Sequence, residues 1–291
     1  MKSTALKNLL LFSGLLLAVI AGGPTRCVAQ ETKKLTADEV IASHLDSIGT
    51  AEARSAFKSV VAQGTVTSTI RVGGAGSGKG GAVMASQGSM SLMGLIFGQQ
   101  EYSNEKVAFN GQKLTLGEYR PGVRTRFGDF LKSHDVLFRE GLLGGTLSTS
   151  WPFYEMNERK PKLQFQGTKN IKDRKAYVLS YEPRSGGNLD VKLYFDAETF
   201  QHVRSEYLQE FSAPSVTNPN KAARQKGTRF KLTEEFSDFR SEANLVLPHT
   251  YKIQLTIDTE GDPLLQDWIV TLSQFVFGKT LDAKQFDLTA N

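Results

Sequence analysis

Cysteine is nearly absent: Cys27 is the only one in 291 residues. It lies in a leader-like stretch, and a chain cut after Ala29 has none. That excludes disulfides, thiolate catalysis and cysteine-ligated metals. Histidine is scarce as well. His44, His134, His202 and His249 stand at no H-x-x-x-H or H-E-x-x-H spacing, so no zinc site and no cofactor is expected. No G-x-S-x-G occurs, so a nucleophile elbow is missing. A strong excess of one charge is missing too. The formal charge is +5, but residues 1–29 hold Lys2, Lys7 and Arg26 and no acid, leaving +2 without them. A balance of +2 points to no nucleic-acid partner.

One long apolar run exists, Leu9–Ala21, behind a short basic start and ahead of Gly22-Gly23-Pro24. Cys27-Val28-Ala29 then offers small residues at −3 and −1. The pattern is that of a cleaved secretory signal peptide over residues 1–29. The run is shorter than the roughly 20 apolar residues of a membrane span. The rival is a lipoprotein signal acylated at Cys27. Pro24-Thr25-Arg26 lacks the aliphatic and small residues that such a signal places before its cysteine. The expected mature chain is 30–291, one periplasmic domain of 262 residues, long enough for a substantial core.

What is present is alternation. Thr36 with Glu39 three residues on makes a capping box for a helix over 36–49, and a short turn is expected at Ala51–Phe57. After it, period-two patterns dominate. Leu189, Val191, Leu193 and Phe195 oppose Asp190, Lys192, Tyr194 and Asp196. Tyr251, Ile253, Leu255 and Ile257 oppose Lys252, Gln254, Thr256 and Asp258. Similar runs fall at 58–72, 162–169, 175–182, 201–211, 228–239 and 267–277. Short polar turns such as Lys172-Asp173-Arg174 and Asp196–Thr199 join them, so neighbouring strands are antiparallel. The expected fold is mainly β (α+β), one long antiparallel meander with one apolar face. Covers are few: the helix at 36–49 and a second at 126–143 carrying Phe127, Phe130, Leu131, Leu137 and Phe138. A curved, half-open barrel with helices plugging its mouth satisfies that shortage.

Gly73-Gly74-Ala75-Gly76-Ser77-Gly78-Lys79 has the spacing of a phosphate loop. Gly80 stands where the magnesium-binding Ser or Thr belongs, and no helix pattern follows, so a hairpin loop is expected. Ala82–Phe97 holds three of the five methionines; it reads first as a strand with a core-packed linker and, as the alternative, as a ligand-lining flap whose methionines adapt to variable acyl chains. Glu234-Glu235 and Asp258–Glu260 could be read as acid/base pairs. Alternation sends Glu234 and Glu235 to opposite faces, and both are read as solvated. The stretch Ser212–Arg229 reads as a basic hairpin tip.

Several runs carry a family resemblance: Thr36-Ala37-Asp38-Glu39-Val40-Ile41 through Gly49, then Ser59–Ile70; Gly167–Leu179; Leu193-Tyr194-Phe195-Asp196-Ala197-Glu198-Thr199-Phe200; and Leu247-Pro248-His249-Thr250-Tyr251. Together, over about 35–280, the chain resembles the outer-membrane lipoprotein-sorting carriers of the LolA/LolB-like superfamily. The resemblance implies a curved, unclosed antiparallel β-barrel with helical lids and an apolar cavity for the acyl chains of lipid or lipoprotein. Related periplasmic proteins use that shell to bind lipoproteins or to sense envelope stress. The glycine-rich and basic loops look like insertions, and no cargo-handling residue of the family can be matched one by one.

The function expected is a non-enzymatic carrier or binder of lipid or lipidated protein. Its cavity residues are expected to be Met84, Met90, Met93, Phe97, Phe130, Leu137, Phe138, Val191, Leu193 and Ile253. The alternative is a protein-interaction or envelope-sensing domain using loops 73–81 and 212–229 to contact an envelope protein. The lesser alternative is a secreted hydrolase.

Overall fold

The computed structural model describes residues 35–98, 102–155, 160–184, 188–211 and 227–289. The expected signal peptide, Cys27 and most of the basic loop, 212–226, lie outside them.

Helix α1 (Ala37–Ile48) forms where the capping box places it. The Thr36 hydroxyl accepts from the Glu39 backbone N–H at 3.2 Å, and the Glu39 carboxylate accepts from the Thr36 N–H at 2.9 Å. Asp38 and Glu39 in the first turn oppose the positive end of the helix dipole. At the other end the Arg54 guanidinium, from the one-and-a-half-turn α2 (Ala51–Ala56), donates to the free carbonyls of Leu45 and Gly49. The stripe Val40, Ile41, His44 and Ile48 is buried.

Twelve antiparallel strands follow, in one sheet: β1 (Ser59–Val72), β2 (Gly76–Gln87), β3 (Met90–Phe97), β4 (Glu105–Phe109), β5 (Leu114–Leu116), β6 (Lys162–Ile171), β7 (Arg174–Glu182), β8 (Asp190–Asp196), β9 (His202–Phe211), β10 (Thr228–Glu242), β11 (Leu245–Asp258) and β12 (Leu264–Phe277). Their order across the sheet is β5-β4-β3-β2-β1-β12-β11-β10-β9-β8-β7-β6, and the sheet is not closed. It is two meanders rather than one. The chain walks from β1 out to the edge at β5, crosses to the far edge at β6, and walks back until β12 pairs with β1, Val66 opposite Val270. The crossing segment holds α3 (Arg126–Ser133), α4 (Val136–Arg139) and two 3-10 turns at Gly145–Leu147 and Pro152–Glu155.

Two expectations need correction here. The helix expected at 126–143 breaks at His134–Asp135. The His134 ring takes the Phe130 carbonyl at 2.7 Å, so the His134 backbone N–H turns to Leu131 at 3.2 Å and the helix tightens and stops. The glycine-rich run is mostly strand: only Gly73–Ala75 lie between β1 and β2. The run is bare because Tyr102 lies across it. A Cβ on Gly78 would come 2.6 Å from that ring. No helix follows, so the phosphate-loop geometry is absent from this segment.

The sheet wraps the crossing segment. Phe127 packs on Trp268 of β12 at 4.8 Å between ring centroids, Phe138 on Phe109 of β4 at 6.1 Å, and Tyr181 of β7 donates to Glu140 at 2.6 Å. One apolar cluster runs from Ala62 and Val66 of β1 round to Leu179 and Tyr181 of β7, with the crossing segment inside it.

Candidate functional site

Inward positions of every central strand meet the crossing segment, which fills the hollow as a plug. Of the residues expected to line a cavity, Met84 of β2, Met93 and Phe97 of β3, Phe130 of α3, Leu137 and Phe138 of α4, Val191 and Leu193 of β8 and Ile253 of β11 all lie in this one cluster. Met90, at the start of β3, is half-buried opposite Gln87 and is not a member. The structure therefore brings together nine of the ten. Beside Met84, Met93, Phe138, Gly144 and Tyr251 the free space is about 30 Å³, room for a water or two.

A wider apolar opening lies at the rim, where α3 meets β9 and β10. A groove of about 560 Å³ runs between Phe130 and His134 on one side and Phe211, Phe230 and Ile257 on the other. That volume falls within the roughly 300–1,000 Å³ of small-molecule sites. Phe130 stacks on His134 at 4.2 Å, and the second His134 nitrogen meets the Gln209 side-chain oxygen at 2.8 Å. Arg126 pairs with Asp262 across the mouth.

The plug is tied to the sheet by a buried carboxylate that sequence reading placed in solvent. Glu234 does face opposite to Glu235, but inward, and is fully buried. It accepts from the Gly144 N–H at 2.8 Å, from the Tyr207 hydroxyl at 2.6 Å and from the Tyr251 hydroxyl. Tyr207 also reaches the Leu142 carbonyl at 3.1 Å. Burial pushes the Glu234 carboxyl above its usual range against the pull of these three donors, and burial pushes both tyrosines up. The signal was available: Phe230, Leu232, Glu234 and Phe236 share one parity, so an acid stood on the oily side of its strand.

Behind this latch lies an aromatic pack of His44, Trp151, Phe153, Phe195, His202 and Phe236. Trp151 can only donate, so its indole N–H at 3.1 Å makes His44 Nε2 an acceptor. His44 Nδ1 then carries the proton and donates to the Phe200 carbonyl at 3.0 Å. Burial lowers the His44 pKa to about 3, and burial, then the neighbouring His44, lowers that of His202. Ser205 Oγ lies 3.0 Å from His202 Nε2. Among the described residues no group hydrogen-bonds His202 Nδ1, so no orienting acid is seen there, and Ser205 is fully buried, without the access that a nucleophile requires. Among the described residues no group of three or more His, Cys, Asp or Glu could hold a metal ion. Of the loops expected as a partner surface, 73–81 is reduced to Gly73–Ala75, with 76–81 in β2, and 212–226 lies outside the described residues.

No family profile matches the sequence, and no curated protein matches it. Solved structures do match, over most of the chain. A LolA superfamily protein from Nitrosomonas europaea aligns with 88% of this chain and 99% of its own, at 13% identity and a TM-score of 0.44. A domain from Vibrio parahaemolyticus, assigned as an outer membrane lipoprotein-sorting protein, aligns with 86% of this chain and 98% of its own, at 10% identity and a TM-score of 0.42. The Pseudomonas aeruginosa MucA/MucB complex covers 83% of this chain and 100% of the matched chain, at 11% identity and a TM-score of 0.23. The likeness is to LolA superfamily and lipoprotein-sorting structures, at low sequence identity. No described helix is long and apolar enough to cross a membrane.

Proposed function

We propose that this protein is a non-enzymatic carrier or binder of lipid or lipidated protein, a single domain of residues 30–291 exported to the periplasm by residues 1–29. The observation that carries the reading is the cover of the hollow. Beyond α1, whose Val40 and Ile41 join the same cluster, the hollow of this open sheet is filled only by short elements: helices of eight and four residues and two 3-10 turns. Short elements of this kind open at low cost compared with the strands around them.

An acyl chain seated first in the rim groove, against Phe130 and Phe230, would advance by displacing Leu137 and Phe138. Each methylene moved out of water contributes about 0.8 kcal/mol. Met84, Met90 and Met93 would adapt to chain length, while Phe97, Val191, Leu193 and Ile253 form the fixed wall. The Glu234 latch then sets the resistance, because moving Gly144 away strips a buried carboxylate of a donor. Delipidated protein should take up palmitate or a diacylated lipopeptide, and native mass spectrometry of protein purified from periplasm should show a bound lipid. Filling the groove with Phe230→Arg should suppress uptake. Failure of the delipidated chain to take up any acyl ligand overturns the reading.

A further inference from the structure

The outer face of the sheet carries a built pocket that acyl-chain binding does not use. It begins with a β-bulge. Along β6, Phe165 faces inward opposite Leu179. One extra residue then enters the strand, so that Thr168 pairs with Tyr177 and Lys169 with Ala176. Gly167 takes the left-handed backbone, φ +93°, that the bulge requires. Without the shift, Lys169 and Ile171 would share the inward parity of Phe165. With it they cross to the outer face, where Ile171 packs on Ala176, Val178 and Tyr194. Bulges of this sort re-aim side chains and cluster at functional sites.

The displaced end of β6 forms one wall of a cavity of about 370 Å³ over β8, β9 and β10. Five cations line it: Lys169, Lys192, Arg204, Arg229 and Lys231. Two acids do, Asp190 and Glu206, and both are already engaged. Glu206 accepts from the Tyr194 hydroxyl at 2.8 Å, from Lys231 at 3.0 Å and from Arg204 at 3.4 Å, and Asp190 is held by Lys192 at 2.7 Å. Arg204 also binds Glu235, and Arg229 meets Glu210 at 3.2 Å. Lys169 has no ion pair among the described residues. The lining alone holds three more cations than acids; Glu235 and Glu210 just outside it offset Arg204 and Arg229, which leaves Lys169 as the unpaired charge, with Leu208 and Ile171 as an apolar floor.

We propose that this outer pocket binds a phosphate-bearing anion of about sugar-phosphate size, with Lys169 and Lys192 as its principal charged donors. The cradle is open to solvent, so the phosphate is either free or the headgroup of an anionic lipid. The shared chemistry is a compact multivalent oxyanion met by ammonium and guanidinium donors.

The test uses the exported chain, pyrophosphate as the free probe, and vesicles of phosphatidylglycerol against vesicles of phosphatidylcholine. Calorimetry should show pyrophosphate binding that weakens with added salt and falls about tenfold or more in Lys169→Gln/Lys192→Gln. Amide shifts confined to Ile171, Lys192 and Leu208 would place it. Flotation with phosphatidylglycerol vesicles, competed by pyrophosphate and lost in the double variant, assigns the headgroup as the source. Pyrophosphate binding without flotation assigns free phosphate. Neither probe binding at about 10 mM, or binding unchanged in a folded double variant, overturns the proposal. Palmitate uptake is unaffected by either substitution, so this failure is distinguishable from failure of the carrier reading.

Discussion

Glu234 and Glu235 are neighbours in sequence and opposites in circumstance. Glu234 points into the hollow, has no cation beside it, and is held by two hydroxyls and one amide. Glu235 points outward, where Arg204 and Lys172 grip it. Burial raises the pKa of both, but at Glu235 the two cations outweigh it and the net shift is downward. At Glu234 burial prevails. The inner face tolerates polarity only where it holds something in place. The outer face uses charge as ordinary surface, and gathers it into one hollow.

Four measurements would break or sharpen that contrast. The largest effect is expected at another neighbouring pair. Trp268→Ala, on the inner face of β12, should cost about 4 kcal/mol in urea unfolding. Ile269→Ala, on the outer face and 41% exposed, should stay within about 0.5 kcal/mol. Equal costs would mean that the outer face is covered too. Next, Glu234→Ala should cost about 3 kcal/mol, because it leaves two hydroxyls and an amide unpaired. Glu235→Ala should cost less than about 1 kcal/mol.

The pH dependence should separate the faces by sign. The raised pKa of Glu234 gives a contribution complete below about pH 4.5 and lost as pH rises through the folded value. Glu105, fully buried and accepting from Thr125 at 2.7 Å, is raised by burial to about 8 and behaves the same way between pH 4.5 and 8. Glu235, with its pKa lowered, contributes above pH 4.5 and loses that contribution as pH falls. Glu105→Gln should flatten the alkaline limb of the stability curve, and Glu235→Gln the acid limb; an unchanged curve in either case refutes the assignment. The smallest effect should be Thr36→Ala, about 1 kcal/mol by thermal melting, from the lost cap on α1.

Much of this fold was legible because alternation is a local signal. α1 was marked by its capping box, and strands β7–β12 by parity and turn residues. The break in the plug was not legible, since Phe127, Phe130, Leu131, Leu137 and Phe138 suit a continuous helix. What breaks it is the His134 ring competing for a backbone carbonyl. The glycine run misled because its bareness answers to Tyr102, more than 20 residues downstream. Most of the apolar residues named for a cavity fall in the inner cluster, since burial follows parity, but parity says nothing of what fills the space between faces. The Lys169 pocket was hidden for a related reason: a single extra residue at Gly167 reverses the parity of everything after it.

The pairing of β1 with β12 has a consequence for biogenesis. These strands form the seam between the two meanders, yet lie near opposite ends of the described chain. Until the last strand emerges, both β1 and β11 present bare edges at what will become the middle of the sheet, and the ring of oily side chains stays split. Closure of so long-range a pairing is therefore expected to be a late step of folding. Truncation before Leu264, which removes β12, should give an aggregating product rather than a smaller functional one.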